Sequence, residues 1–394
     1  MNRSITPWGE HALTRYPEDP RDQLRAWDAS DDYLLRHLAD REAEDGVRAA
    51  LGGTVVVVGD RWGALTTALA ARRTASAGPA GPPPVQISDS YLGQQATRAN
   101  LARNEAGEAR LLSTRDTPPD RVDVLLVRVP KSLALLEDQL RRLAPAVHAD
   151  TVVVGTGMVK EIHTSTLDLF ERIIGPTRTS LAEKKARLIF STPDPSLARA
   201  PSPWPKTYQV DADAGLASGL TVVNHAGVFC AERLDIGTRF FCKNMPTGDG
   251  PFRAVDLGCG NGVIGTALAA ANPRAEVLFA DESHQAVASA EATYAKNGAA
   301  NPAEFAVADA LDGLAPGSVD LVLSNPPFHS HQAMTDATAW RMFTTSRRAL
   351  RQGGELWIVG NRHLGYHLKL KRLYGNCELV AGDAKFVVLR AVKR

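Results

Sequence analysis

One pattern occurs twice in this chain. From Thr54 it reads TVVVVGDRWGALTTALAARR, an apolar strand, a tight turn and a helix; from Arg253 it reads RAVDLGCGNGVIGTALAAA, the same succession. Placing Gly63 on Gly262 aligns GALTTALA with GVIGTALA, and further matches keep the order. VQISDSYLGQQATRANLARN answers VLFADESHQAVASAEATYAKN, with Asp89 opposite Asp281. VDVLLVRVPK answers VDLVLSNPPF, with Asp123 opposite Asp320, and Gly175 and Lys185 share the spacing of Gly375 and Lys385. Individually weak matches in one shared order mark an internal repeat. Strands alternating with helices imply an α/β fold of two tandem Rossmann-like domains, each a largely parallel sheet covered on both faces. The expected division is 1–195 and 196–394. The stretch STPDPSLARAPSPWPK, Ser191 to Lys206, joins them, rich in Pro and Ser as linkers are. Ahead of the first strand, DQLRAWDASDDYLLRHLAD places Leu24, Trp27, Leu34, Leu35 and Leu38 on predicted helical faces.

Composition narrows the partners. A net charge of +1 over 394 residues gives no global field toward polyanions, so contact with nucleic acid must come from local patches. The cysteines Cys230, Cys242, Cys259 and Cys377 form no CxxC pair, which argues against a zinc site or disulfide framework. His363 and His367 stand one helical turn apart without an acidic third ligand, so no metal is expected. MNRSITPWGEHALTRYPED lacks the apolar core of a signal peptide, and no run spans a bilayer; a reducing cytoplasm is the expected home.

The halves differ in chemistry. Asp256, Gly258, Gly260 and Gly262 of the second stand where the first has Val57, Gly59, Arg61 and Gly63; Asn325-Pro326-Pro327-Phe328 stands opposite Arg128-Val129-Pro130-Lys131. A glycine turn from strand to helix lets backbone approach a ligand closely, but many nucleotide folds use one. Asp256 beside that turn would repel a pyrophosphate and attract an amino group, which points to S-adenosyl-L-methionine. Asp281, ending EVLFAD, suits the ribose hydroxyls, and Asp309, in FAVADAL, suits the adenine amine.

The stretch SNPPFHSH, Ser324 to His331, follows an apolar strand. A conjugated exocyclic amine is a poor nucleophile. The Asn325 side-chain oxygen and the Pro326 carbonyl would accept its hydrogens, with Pro326 and Pro327 fixing their directions. Phe328 would stack on an everted base, contributing roughly 1–3 kcal/mol. Guanine N2, adenine N6 and a glutamine side chain all fit this corner, and a non-catalytic RNA-binding assembly factor or, more distantly, a dehydrogenase is a rival reading. For RNA contact the candidates are Arg61, Arg72, Arg73, Arg98, Arg103, Arg128 and Lys131 in the first half. In the second they are Arg362, His363, Tyr366, Lys369 and Arg372.

VDLGCGNGVIG, SNPPFH, GVFCAERLDIGTRFF, HTSTLDLFERIIGPT, NRHLGYHLKLKRLYGN and KFVVLRAVK together resemble the large-subunit ribosomal RNA guanine-N2 methyltransferase G family, whose small-subunit relative C shares the doubled architecture. The similarity runs from about Trp27 to the C-terminus. It implies tandem class I methyltransferase-type domains, S-adenosyl-L-methionine as donor and an N2-methylguanine product in 23S RNA; the first, degenerate half then reads as an RNA-binding platform. By position it gives Asp256, Gly258, Gly260, Gly262, Asp281 and Asp309 to the cofactor and Asn325 to Phe328 to the base. It also implies that Phe229 and Gly237 pack at the cofactor pocket. The Pro-rich loop 78–84 departs from the family.

Overall fold

The computed structural model describes residues 3–20, 22–42, 44–75, 81–248, 250–327 and 332–394, without the side chains of 45 and 332–336. The chain divides into two compact units, Met1–Pro203 and Trp204–Arg394. Among the described residues, each holds a seven-stranded sheet of the same order. In the first unit the strands run Arg110–Ser113, Val85–Ser88, Val55–Val58, Val122–Arg128, Val147–Met158, Ala186–Ser191 and Thr177–Thr179 across the sheet. In the second they run Ala303–Val307, Ala275–Asp281, Phe252–Leu257, Val319–Ser324, Leu350–Asn361, Phe386–Val392 and Glu378–Gly382. The first five are parallel neighbours and the last two antiparallel in both.

Side chains alternate across a strand, so a strand buried on both faces feeds two cores. Val56 and Val58 enter one cluster and Val55 and Val57 another; Ala254 and Val255 divide likewise in the second unit. Small devices repeat as well. Asp123 Oδ2 accepts from Thr54 N at 2.7 Å, and Asp320 Oδ2 accepts from Arg253 N at 2.7 Å, each tying the start of the central strand. The carbonyls of Lys185 and Lys385 accept from Val159 N at 2.8 Å and Arg362 N at 2.9 Å. A Cβ at Gly63 would lie 2.7 Å from Thr97 Cα, and one at Gly262 2.6 Å from Ala290 Cα. Both glycines have positive φ, so two helices close on one turn twice.

The repeat reaches further than the sequence matches. Each unit carries an antiparallel hairpin, Arg3–Thr6 with Gly9–Ala12 and Lys206–Gln209 with Thr221–Asn224. Asn104 Oδ1 accepts from Ala12 N at 2.7 Å while its Nδ2 donates to Ala12 O at 2.9 Å. Asn297 does the same to Thr221, at 2.9 and 2.8 Å. Both asparagines follow the helix after the second parallel strand.

The predicted leading helix begins later than its apolar pattern. It spans Ala29–Arg41, because Asp28 caps it by accepting from Ser30 N. Leu34, Leu35 and Leu38 face the core, whereas Leu24 is exposed and Trp27 packs on a separate cluster of Leu13, Ala26 and Ala64. The Pro- and Ser-rich stretch lies partly against the first unit: Ser191 ends a strand, Arg199 Nη2 donates to Val147 O at 3.1 Å, and Ser202 Oγ donates to Asp138 Oδ1 at 2.6 Å. Of the Pro-rich loop, residues 78–80 lie outside the described residues.

Candidate active site

Register places the candidates. In the second sheet Leu257 pairs with Ala280 and Ser324, so the next residue on each strand, Gly258, Asp281 and Asn325, stands at one carboxyl edge. Asp256 lies one layer deeper. It is 1% exposed, and its Oδ2 accepts from Gly265 N at 2.8 Å in the first turn of helix Val263–Ala271. Burial pushes its carboxyl up to about 8. Gly265 permits this fit, since a Cβ there would meet Phe279 Cε1 at 2.3 Å and Asp256 Cβ at 3.0 Å.

Gly258 and Gly260 have φ of +71° and +53°, and nothing lies within 4 Å of a Cβ built on Gly260. Asp281 secures their turn: its Oδ2 accepts from Gly260 N at 3.0 Å and its Oδ1 from Ser283 N at 3.0 Å. A carboxylate oxygen has two lone pairs, so a ribose diol can share this carboxylate. Asp309 sits two residues past its strand rather than on it; its Oδ1 accepts from Arg341. Burial raises its carboxyl against the pull of Arg341.

Asn325 is held from one side. Its Nδ2 donates to Thr238 Oγ1 at 2.9 Å and to Asp235 Oδ2 at 3.4 Å. Pro326 is buried and Pro327 exposed; Phe328, with His329 and His331, lies outside the described residues. Buried polar atoms without hydrogen-bond partners are costly, about 1–3 kcal/mol each. Three are here: Asp256 Oδ1, Asp309 Oδ2 and Asn325 Oδ1 have no partner among the described residues. An ammonium, an adenine amine and a second amine would satisfy them, so the donor set fits S-adenosyl-L-methionine beside an amine substrate.

Sequence reading missed Asp235 and Thr238. Asp235 caps helix Ile236–Cys242, accepting from Thr238 N at 2.9 Å, and the D-x-x-T spacing is the signal that marks it. Gly237 lets this helix press on Phe386, 3.0 Å from the position of a Cβ. Phe229 precedes the helix and is 55% exposed.

The same place in the first unit is built differently. Arg128 occupies the Asn325 position and pairs with Asp28, with Asp31 at 3.2 Å and with Glu161 at 3.4 Å. Asp28 and Asp31 are the cap and third residue of the leading helix, as Asp235 and Thr238 are in the second unit. Arg61, opposite Gly260, joins the cluster through Glu161 at 2.8 Å and Asp28 at 3.4 Å. Asp60 takes over the clamp of Asp256: its Oδ2 accepts from Thr66 N at 2.8 Å, in the turn that Gly265 occupies in the second unit. The carboxylate has shifted from strand to turn, and it is not lost.

This corrects the cation reading. Arg128 is 1% exposed and spent on internal carboxylates. Arg61, Arg72 and Arg103 are ion-paired, and Arg73 donates to Leu51 O and Gly53 O. Arg98 and Lys131 are exposed. In the second unit Tyr366 is buried, edge-on to Phe343 at 5.3 Å, and Arg362 donates to Asp383 O, while His363, His367 and Arg372 are exposed. No group of His, Cys, Asp and Glu able to hold a metal occurs among the described residues, and no described helix is long and apolar enough to cross a membrane.

The doubled sheet order, the glycine turn and the Asn-Pro-Pro corner define a class I methyltransferase, an enzyme whose cofactor is S-adenosyl-L-methionine. Residues 1–195 match the RLMG N-terminal domain family and 219–390 the methyltransferase small domain family. Ribosomal RNA large subunit methyltransferase G of Streptomyces coelicolor is 69% identical over 390 residues, 98% of this chain and 99% of that one. Its namesake from Pseudomonas paraeruginosa is 47% identical over 394, again covering 98% and 99%. The structure of T. thermophilus 16S rRNA N2 methyltransferase RsmC, in complex with AdoMet and guanosine, shares the fold over 90% of this chain and 93% of that one, with a TM-score of 0.70 at 21% identity. The chain belongs to the ribosomal RNA large subunit methyltransferase G family.

Proposed function

We propose that this protein methylates the exocyclic N2 amine of a guanine in large-subunit (23S) ribosomal RNA. It is an S-adenosyl-L-methionine-dependent rRNA methyltransferase. The observation that carries the finer reading is the fixed carboxamide of Asn325. With Nδ2 committed to Thr238, Oδ1 is left as an acceptor at the edge bearing Gly258 and Asp281.

Bound there, the donor supplies an electrophilic methyl on a positive sulfur. Asp256 and the Gly258–Gly262 turn hold its amino-acid end, Asp281 its ribose and Asp309 its adenine, with Phe229 beside them. Asn325 Oδ1 and the Pro326 carbonyl accept the two N2 hydrogens, localising the nitrogen lone pair toward the methyl carbon. Nitrogen gains the methyl, sulfur keeps the electron pair of the broken bond, and one N2 proton leaves to water. Phe328 stacks on the base. This is catalysis by position and fixed dipoles.

The first unit then serves as an RNA-holding surface through cations outside its internal cluster, Arg98 and Lys131 first among them. Charge reversal at both should weaken RNA binding and flatten its salt dependence while sparing cofactor affinity. Mass analysis of nucleosides and peptides after reaction with rRNA, DNA and protein tests the substrate. N2-methylguanosine in large-subunit RNA is expected; N6-methyladenosine or methylglutamine would replace the reading.

A further inference from the structure

We infer that Asp235 selects guanine at the target site; this rests on the guanine-N2 reading above. Asp235 Oδ2 is engaged by Thr238 N at 2.9 Å and lies 3.4 Å from Asn325 Nδ2, so the carboxylate stands beside the amide held to activate the amine. Its Oδ1 has no partner among the described residues, and the side chain is half-buried at the edge of the site.

Guanine carries its N1–H next to its N2 amine, two donors side by side. Adenine carries a lone pair on N1 next to its amine, and a glutamine side chain carries a carbonyl oxygen next to its own. An acceptor on Asn325 with a carboxylate beside it attracts the first and repels the other two. A site built to bond an N–H rejects a ligand lacking it far more strongly than shape alone would.

The first unit supplies an independent observation. There the counterpart carboxylate, Asp28, faces the guanidinium of Arg128. The N1–C2–N2 edge of guanine is itself a guanidine. In the first unit that carboxylate is met by a guanidinium on the residue that Asn325 replaces; the shorter asparagine reaches only Oδ2 of Asp235.

The test uses the full-length enzyme, a large-subunit rRNA transcript, and guanosine and 1-methylguanosine as competing inhibitors. The wild type should be inhibited at least tenfold better by guanosine, because 1-methylguanosine lacks the N1–H. Asp235→Asn keeps the helix cap, and it should lose that preference and at least tenfold in kcat/KM at unchanged S-adenosyl-L-methionine affinity. Asp235→Ser, which also caps but falls short of the base, should share the loss. Equal inhibition of the wild type by the two nucleosides, or undiminished kcat/KM in both variants, overturns the inference. A wild-type product other than N2-methylguanosine would instead defeat the underlying reading.

Discussion

At the end of the fourth strand of each sheet, one side chain donates to the carboxylate that caps a helix. In the first unit it is Arg128, which meets Asp28, Asp31 and Glu161 and is buried by them; in the second it is Asn325, which spends only its amide nitrogen on Asp235 and Thr238. The backbone frame is shared. What differs is whether the corner satisfies itself. Arginine with three carboxylates leaves no use for a ligand, and Arg61 closes the same cluster from the glycine turn. Asparagine leaves an oxygen without a donor among the described residues. A few different residues within the same sheet frame thus separate a corner with an unpartnered acceptor from an internal ion-pair network.

The largest effect should come from breaking the network. Arg128→Ala leaves Asp28, Asp31 and Glu161 without their shared cation in a buried setting, and should cost about 3–5 kcal/mol of stability in denaturant unfolding. Asn325→Ala attacks the other corner. It should lower kcat by about two to three orders of magnitude, the scale of losing one oriented dipole, while cofactor affinity by calorimetry stays within about threefold.

The hairpin anchors compare the halves where they agree. Asn104→Ala and Asn297→Ala each remove a paired backbone contact and should each cost about 1–3 kcal/mol in thermal unfolding. A large disparity would mean that the two hairpins are not equivalent. The smallest effect is a pH slope. Asp256 retains its proton below about 8 through burial. An ammonium ligand favours the ionised form, so binding expels a proton and affinity should rise as pH approaches about 8, above which loss of the ligand's own ammonium proton opposes the rise. One proton gives at most about a tenfold rise per pH unit. Asp256→Asn should abolish the slope, and calorimetry in buffers of different ionisation enthalpy would count the proton.

Much of this was legible in the sequence because glycine turns and strand ends are local. Gly63 and Gly262 mark the same turn, and Asp123 and Asp320 the same strand tie. The hairpins were not legible: four-residue strands held by one asparagine give no periodic signal. Nor does a sequence say whether an arginine faces solvent or three distant carboxylates, which is why Arg128 reads as a surface cation and is none. Asp60 escaped for a related reason. Aligning Val57 with Asp256 shows a missing carboxylate, whereas the helix turn it must bind is reached equally from three residues further on.

Titration of the full-length protein with S-adenosyl-L-methionine tests the contrast most directly. One site per chain is expected, lost or at least tenfold weaker in Asp281→Ala and unchanged in Arg128→Asn, provided that variant folds. Two sites, or binding indifferent to Asp281, would contradict it.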